Sequence, residues 1–199
     1  MNDMGVSRFE RWKNEGVLKD YRFLFNWYVD VDTWDAMAVL SFPNYASIAR
    51  WKDIEKTSPG GLGRDALDMA WPLNTYSADL LLFEAGDGPP DRTRMVYFVL
   101  PYDFPNPAAF RDYANAVISP QTKALLREGL VTESSVYVNR YPGGKRWQGL
   151  LVLAYKDLDS FSRRDEVLAT VRAQIRAAEA RQTTNPEREA IIADPVGRQ

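Results

Sequence analysis

The chain reads as an α+β protein made of two tandem β-α-β-β-α-β units, ferredoxin-like in topology, the first lacking its opening strand. Three observations predict this. One register of self-similarity runs through the sequence, strand-like and helix-like segments follow in that order through its second half, and a Gly/Pro-rich stretch separates the copies. The expected divisions are residues 1–85 for the first repeat, 86–92 for a linker containing GDGPPD, and 93–199 for the second repeat.

The repeat has a constant offset of 113 residues without a gap. Glu15-Gly16 meets Glu128-Gly129, Asn26 meets Asn139, and Tyr28 meets Tyr141. Trp34 meets Trp147, Val39-Leu40 meets Val152-Leu153, Ser47 meets Ser160, and Arg50 meets Arg163. Such self-similarity decides architecture before any local pattern does, and says much less about chemistry.

The second copy is complete. Arg94 to Leu100 is rich in Val, Tyr and Phe and reads as a strand. Asn106 and Pro107 form an N-cap and first-turn pair that opens a helix running towards Arg127. Pro120 should kink or break it, because it removes a donor and crowds the preceding turn. Gly129 is the stop. Ser134 to Tyr141 and Trp147 to Tyr155 form a hairpin across Pro142-Gly143-Gly144-Lys145-Arg146. A helix from Phe161 to about Gln182 carries Val167, Leu168, Val171 and Ile175 on one stripe, and Glu189 to Ala193 reads as a closing strand.

The first copy offers a helix from Ser7 to Glu15, a hairpin of Tyr21 to Val29 with Trp34 to Phe42, and a helix from Tyr45 to Lys56. Ser58 to Thr75 is an irregular connection, and Tyr76 to Glu84 is expected to close this repeat. The counterpart of the opening strand falls upstream of Met1, so either the first copy is a three-stranded variant or the chain begins inside a longer protein, the second being the favoured expectation. An uncovered sheet edge invites a second copy, so a homo-oligomer is an expected partner.

Composition narrows the chemistry. With 25 basic and 27 acidic residues there is no cationic excess for nucleic acid. Apolar runs such as Gly149 to Tyr155 are strand-sized, far from a membrane span, and Met1 to Glu15 lacks the apolar core of a secretory signal. The chain has no Cys, which excludes thiol nucleophiles and thiolate metal sites. It has no His, which excludes Ser-His-Asp triads and imidazole bases. No cofactor and no metal are expected.

The stretch from Val96 to Tyr155, with its strand, its long helix interrupted at Pro120, its Gly129 stop and its Tyr141-Pro142-Gly143-Gly144 hairpin, resembles the dimeric α/β-barrel superfamily. It is similar to uncharacterised bacterial members and more loosely to the NIPSNAP and EthD-like branches. The resemblance implies two ferredoxin-like sheets facing each other as a pseudo-dimeric barrel, with a pocket between them. The superfamily includes haem-degrading and cofactor-free monooxygenases, chlorite dismutases and muconolactone isomerases. Its haem-using branches rely on histidine, which is absent here. Similar members often carry a histidine after the mid-helix Pro, where this chain has Gln121 and Thr122.

Strand alternation gives the candidate site. Val136, Val138 and Arg140 share one face of their strand, and Tyr137, Asn139 and Tyr141 the other. With the apolar face packed on helices, Asn26, Tyr28, Tyr137, Asn139 and Tyr141 would point into the barrel and orient a carbonyl or phenolic ligand. Tyr113, on the long helix, is a further candidate at the pocket mouth. The competing reading is that each Asn and Tyr anchors its own hairpin, and their recurrence in both halves favours shared folding over shared chemistry.

Other features read as structural. Trp34 and Trp147 are expected to staple their hairpins against Tyr28 and Tyr141. Glu15 and Glu128 are expected in exposed ion pairs with Arg11 or Lys13, and Lys123 or Arg127. Asp30 and Asp32 read as a solvated turn, and Pro59 to Arg64 as a helix stop and mobile flap that lacks the Lys of a phosphate loop.

The function expected is the binding of a small apolar or aromatic molecule between the sheets, without catalysis. Two alternatives stand beside it. One is a cofactor-independent oxygenase or isomerase acting on a phenolic or quinone-like substrate. The other is an interaction protein with a filled barrel and no ligand.

Overall fold

In the computed structural model, residues 2–28, 33–69, 74–88, 91–141, 143–144, 147–179 and 191–195 are described. They divide into two compact units, one of residues 1–25 and 34–75, the other of residues 26–33 and 76–195.

The second unit holds strand β4 (Val96–Tyr102), helices α4 (Pro107–Tyr113) and α5 (Ser119–Arg127), strands β5 (Val131–Asn139) and β6 (Gly149–Tyr155), helices α6 (Leu158–Ser162) and α7 (Arg164–Glu179), and strand β7 (Ile191–Pro195). β7 pairs with β4, β4 with β6, and β6 with β5, all antiparallel, which is the ferredoxin-like strand order. The Asn106 side chain caps α4 by accepting from Ala109 N at 2.9 Å, with Pro107 in the first turn. The break expected at Pro120 takes the form of a π-helical turn, Ala114–Ile118, in which Ser119 N donates to Ala114 O. Proline has no N–H to offer the ordinary ladder, and the wider turn absorbs the loss without ending the helix.

Strand β3 (Ala78–Ala85) corrects one expectation. It does not close a sheet of the first repeat; it pairs antiparallel with β5, from Ala78 opposite Asn139 to Ala85 opposite Glu133. Leu82 and Glu84 sit opposite Val136 and Ser134 on the helix side of the sheet. The Glu84 carboxylate there accepts from Thr122 Oγ1 at 2.8 Å and Ser119 Oγ at 3.4 Å, with Lys123 Nζ at 3.5 Å. Three donors from α5 therefore hold β3 to this unit.

The core of the unit is the helix side of the sheet. Val136, Val138, Leu151 and Leu153 pack against Phe110, Ala114, Ile118 and Leu125, with Phe161 and Leu168 from the second helix pair. The expectation that Val136 and Val138 face the helices holds in this packing.

The first unit has helix α1 (Asn2–Asn14), the hairpin β1 (Asp20–Asn26) and β2 (Ala36–Ser41), helix α2 (Tyr45–Glu55), and the short helix α3 (Arg64–Leu67). Its core is a ring cluster: Phe9 and Trp12 lie edge-on at 5.0 Å, Trp12 and Trp51 at 5.2 Å, Phe9 and Phe23 at 4.7 Å. Such contacts are worth roughly 0.5–1.5 kcal/mol each beyond the area they bury. The 59–64 segment is no loose flap at this end. Gly61, at φ +75°, is buried, and a Cβ there would lie 2.6 Å from Trp51 and 2.8 Å from Phe9. Only glycine lets the backbone approach that closely.

Local geometry coincides at the 113-residue separation. Gly16 and Gly129 stop their helices at φ +70° and +66°. Glu15 N donates to Arg11 O, Glu128 N to Ala124 O, Val17 N to Trp12 O, and Leu130 N to Leu125 O. The caps correspond too: Ser47 N donates to Asn44 Oδ1 at 3.0 Å, and Ser160 N to Asp157 Oδ1 at 2.8 Å. Glu15 pairs with Arg11 at 3.7 Å and Glu128 with Arg127 at 3.6 Å, in exposed positions. No described helix is long and apolar enough to cross a membrane.

Candidate functional site

The two repeated Asn residues are occupied by their hairpins. Asn26 Oδ1 accepts from Tyr28 N at 3.0 Å while Nδ2 donates to Tyr28 O at 3.0 Å and Thr33 Oγ1 at 3.2 Å. Asn139 Oδ1 accepts from Tyr141 N at 3.1 Å and Nδ2 donates to Trp147 O at 3.0 Å. In each case the amide bridges the turn, as Asn does where it mimics a backbone turn. The Tyr28 and Tyr141 side chains are exposed, 70% and 66%. Tyr137 is half-buried, opposite Leu80 and Leu150 and on the sheet face away from Val136. Tyr113 packs on Phe104 at 5.2 Å and Tyr102 at 5.7 Å at the core's edge. Trp147 stacks on Tyr76 at 4.6 Å, not on the exposed Tyr141 that its hairpin suggested. Asp30 and Asp32 lie outside the described residues.

None of those six candidates lines a cleft formed by described residues of the second unit. A space of about 180 Å³ opens between the helix side of β4 and β6 and the helices α5 and α7. Its walls are Phe98, Leu100 and Tyr102 from β4, Leu151, Leu153 and Tyr155 from β6, and Ile118, Leu125 and Leu168 from the helices. Gln121, Thr122, Arg164, Asp165 and Arg172 make its polar side. The π-helical turn before Pro120 sets the register in which Ile118, Gln121, Thr122 and Leu125 reach this space.

Tyr155 is the unusual group. The residue is fully buried, its ring edge-on to Phe161 at 5.2 Å and to Phe98 at 6.5 Å. Its hydroxyl finds no hydrogen-bond partner among the described residues. A buried hydroxyl left unpaired costs about 1–3 kcal/mol, and such groups are rare in native folds. Burial pushes the hydroxyl far above its ordinary 10.0, against smaller downward pulls from Arg164 and Arg172 and an upward push from Asp165. It is a neutral donor buried in the wall of a space whose lining mixes polar and apolar groups.

The arginines are held. Arg164 Nη1 donates to Phe161 O at 3.0 Å, and the guanidinium lies 4.2 Å from the Phe161 ring centre and 5.7 Å from that of Phe98. Arg172 reaches Gln121 Oε1 from Nε at 3.5 Å and Asp165 Oδ1 from Nη1 at 3.3 Å. Chemically the cleft can hold a small ring against its apolar wall and face an anion at its rim.

The sequence reading missed this site because it followed repeated polar residues to the opposite sheet face. Two signals were legible: Tyr155 carries the one hydroxyl in the run Gly149 to Tyr155, and the polar pair Gln121-Thr122 follows the mid-helix proline.

The residues 113 positions before Thr122, Leu125, Tyr155 and Arg164 are Phe9, Trp12, Phe42 and Trp51. These are the rings that fill the first unit's core, where Phe42 lies 6.1 Å from Trp51. The first unit thus puts four aromatic rings at the sequence positions that, in the second, surround an open space.

No family model matches the chain, and no curated protein matches it. Solved structures do. A "putative monooxygenase" from Fusobacterium nucleatum subsp. nucleatum is similar over 99% of this chain and 88% of its own, at 12% identity and a TM-score of 0.58. A "putative monooxygenase" from Lactobacillus acidophilus is similar over 98% and 89%, at 8% identity and a TM-score of 0.53. An anthrone oxidase-like protein is similar over 99% and 87%, at 10% identity and a TM-score of 0.54. At these identities the likeness concerns the fold alone, and the chain has a ferredoxin-like α+β fold.

Proposed function

We propose that this chain binds a small aromatic or apolar molecule in the cleft of its second unit, with the Tyr155 hydroxyl as the polar anchor. The carrying observation is the fully buried hydroxyl without a partner among the described residues, on the wall of a space of about 180 Å³. A buried donor with no partner is a standing cost, and a ligand acceptor that reached it on binding would remove that cost. The division into repeats 1–85 and 93–199 belongs to the same proposal: one copy retains the cleft and the other is filled by rings. The test is calorimetric titration with phenol, comparing the native chain with Leu153→Trp, which fills the cleft from its apolar wall. Binding by the native chain that the variant loses supports the reading. No heat of binding at millimolar phenol, or equal binding by both, overturns it.

A second reading is oxygenation of a phenolic ring in the same cleft. It is favoured by the names of the similar structures and by Asp165, Arg164 and Arg172 standing on the same wall space as Tyr155. Oxygen uptake measured with anthrone as substrate tests it. Uptake above the uncatalysed rate that Tyr155→Phe abolishes supports an enzyme; uptake at the uncatalysed rate leaves the binding module.

A further inference from the structure

We infer that the ligand of this cleft is an acid the size of one aromatic ring, its anionic group received by Arg172 and Arg164 while its ring lies among Phe98, Leu100 and Leu153. The inference rests on reading the cleft as a binding site and adds the chemical class.

Size comes first. Apolar cavities of about 150 Å³ are known to take up benzene. A space of about 180 Å³ therefore admits one ring with a small substituent and falls short of the volumes that hold larger ligands.

Charge comes second. Among the cleft-lining residues there are two guanidiniums and one carboxylate, Asp165. That carboxylate is shared, 3.3 Å from Arg172 Nη1 and 3.6 Å from Arg164 Nη2, so one positive charge on this wall is left over. A ligand cation would be repelled, a neutral ring would leave the excess facing it, and an anion would balance it.

Geometry comes third. A guanidinium has five N–H donors in a fixed fork suited to two carboxylate oxygens. The described contacts of Arg172 use Nε and Nη1, which leaves Nη2 available to a ligand. Arg164 is fixed beforehand by its bond to Phe161 O and by the Phe161 ring, so little side-chain freedom is lost when an anion arrives.

The experiment is a calorimetric comparison of benzoate with methyl benzoate at neutral pH, on the native chain, Arg172→Gln, Arg172→Lys and Leu153→Trp. Charge-assisted hydrogen bonds at a half-exposed rim should make benzoate about tenfold tighter than its ester. Arg172→Gln should remove that preference and leave ester binding unchanged. Arg172→Lys, which keeps the charge but loses the fork, should retain part of it, and this variant carries the test if Arg172→Gln fails to fold. Raising the salt concentration should weaken benzoate and not the ester. If the ester binds as tightly as benzoate, and Leu153→Trp abolishes both, the acid assignment is wrong while the cleft remains a site. If neither probe binds, or both bind Leu153→Trp unchanged, the acid assignment and the binding reading fall together.

Discussion

The two units solve the same packing problem with different residues. In the first, Phe9, Trp12, Phe42 and Trp51 join a continuous ring cluster, and the backbone at Gly61 presses against it. In the second, Thr122, Leu125, Tyr155 and Arg164 stand at the positions 113 residues on, around about 180 Å³ of space. A core filled by rings gains dispersion and burial and does nothing else. A core left open beside a buried hydroxyl that has no partner among the described residues is less stable than it could be. The difference teaches that positions related by one sequence offset can be packed in opposite ways, so that function is argued from the residues and not from the fold.

The largest effect that could break this comparison is at the ring cluster. Phe9→Ala should cost about 3–5 kcal/mol, because a filled core collapses poorly around a lost ring. Thr122→Ala, its counterpart, should cost only about 1 kcal/mol, the loss of one hydroxyl bond, to Glu84 at 2.8 Å. Urea unfolding of the two variants measures both, and equal losses would mean that the second unit is packed as tightly as the first.

Next comes Gly61→Ala. A Cβ 2.6 Å from Trp51 at φ +75° combines backbone strain with overpacking, for roughly 2–4 kcal/mol. A melting temperature within a degree of the native chain would say that the 59–61 turn is loose after all.

The smallest effect sharpens the helix caps. Asp157 in the second unit stands where Asn44 stands in the first. The backbone N–H of Ser160, then its side chain, hold the Asp157 carboxyl below its ordinary 3.8, with Arg94 adding to the shift. A carboxyl whose folded value is depressed contributes stability above the unfolded value and loses it as pH falls through the folded one. Asp157→Asn should therefore match the native chain near pH 2–3 and be slightly less stable at pH 7, by a few tenths of a kcal/mol. Parallel pH profiles of the two proteins would show that the cap does not titrate with folding.

Much of the fold was legible in residues with single-valued chemistry. Asn106-Pro107 could only open a helix, Pro120 could not continue an ordinary ladder, and the apolar alternation at Val136 and Val138 fixed which face meets the helices. The partner of β3 was not legible, because a period of two assigns a strand its faces and not its neighbour; the decision came from Glu84 meeting Ser119 and Thr122, residues 35 and 38 positions away. The Asn-x-Tyr pairs were legible as a repeat, and their hydrogen bonds belong to the turns. Tyr155 was hidden for a different reason. Whether a hydroxyl in a buried strand has a partner depends on how closely two helices approach it, which no local pattern encodes.

The most direct test of the central claim is the stability of Tyr155→Phe in urea, without ligand. Removing a buried hydroxyl that has no partner among the described residues should leave the free protein as stable as before or stabilise it by about 1 kcal/mol. A loss of more than about 1 kcal/mol would instead mean that the hydroxyl is satisfied in the native protein, and the open cleft that separates the second unit from the first would not exist as described.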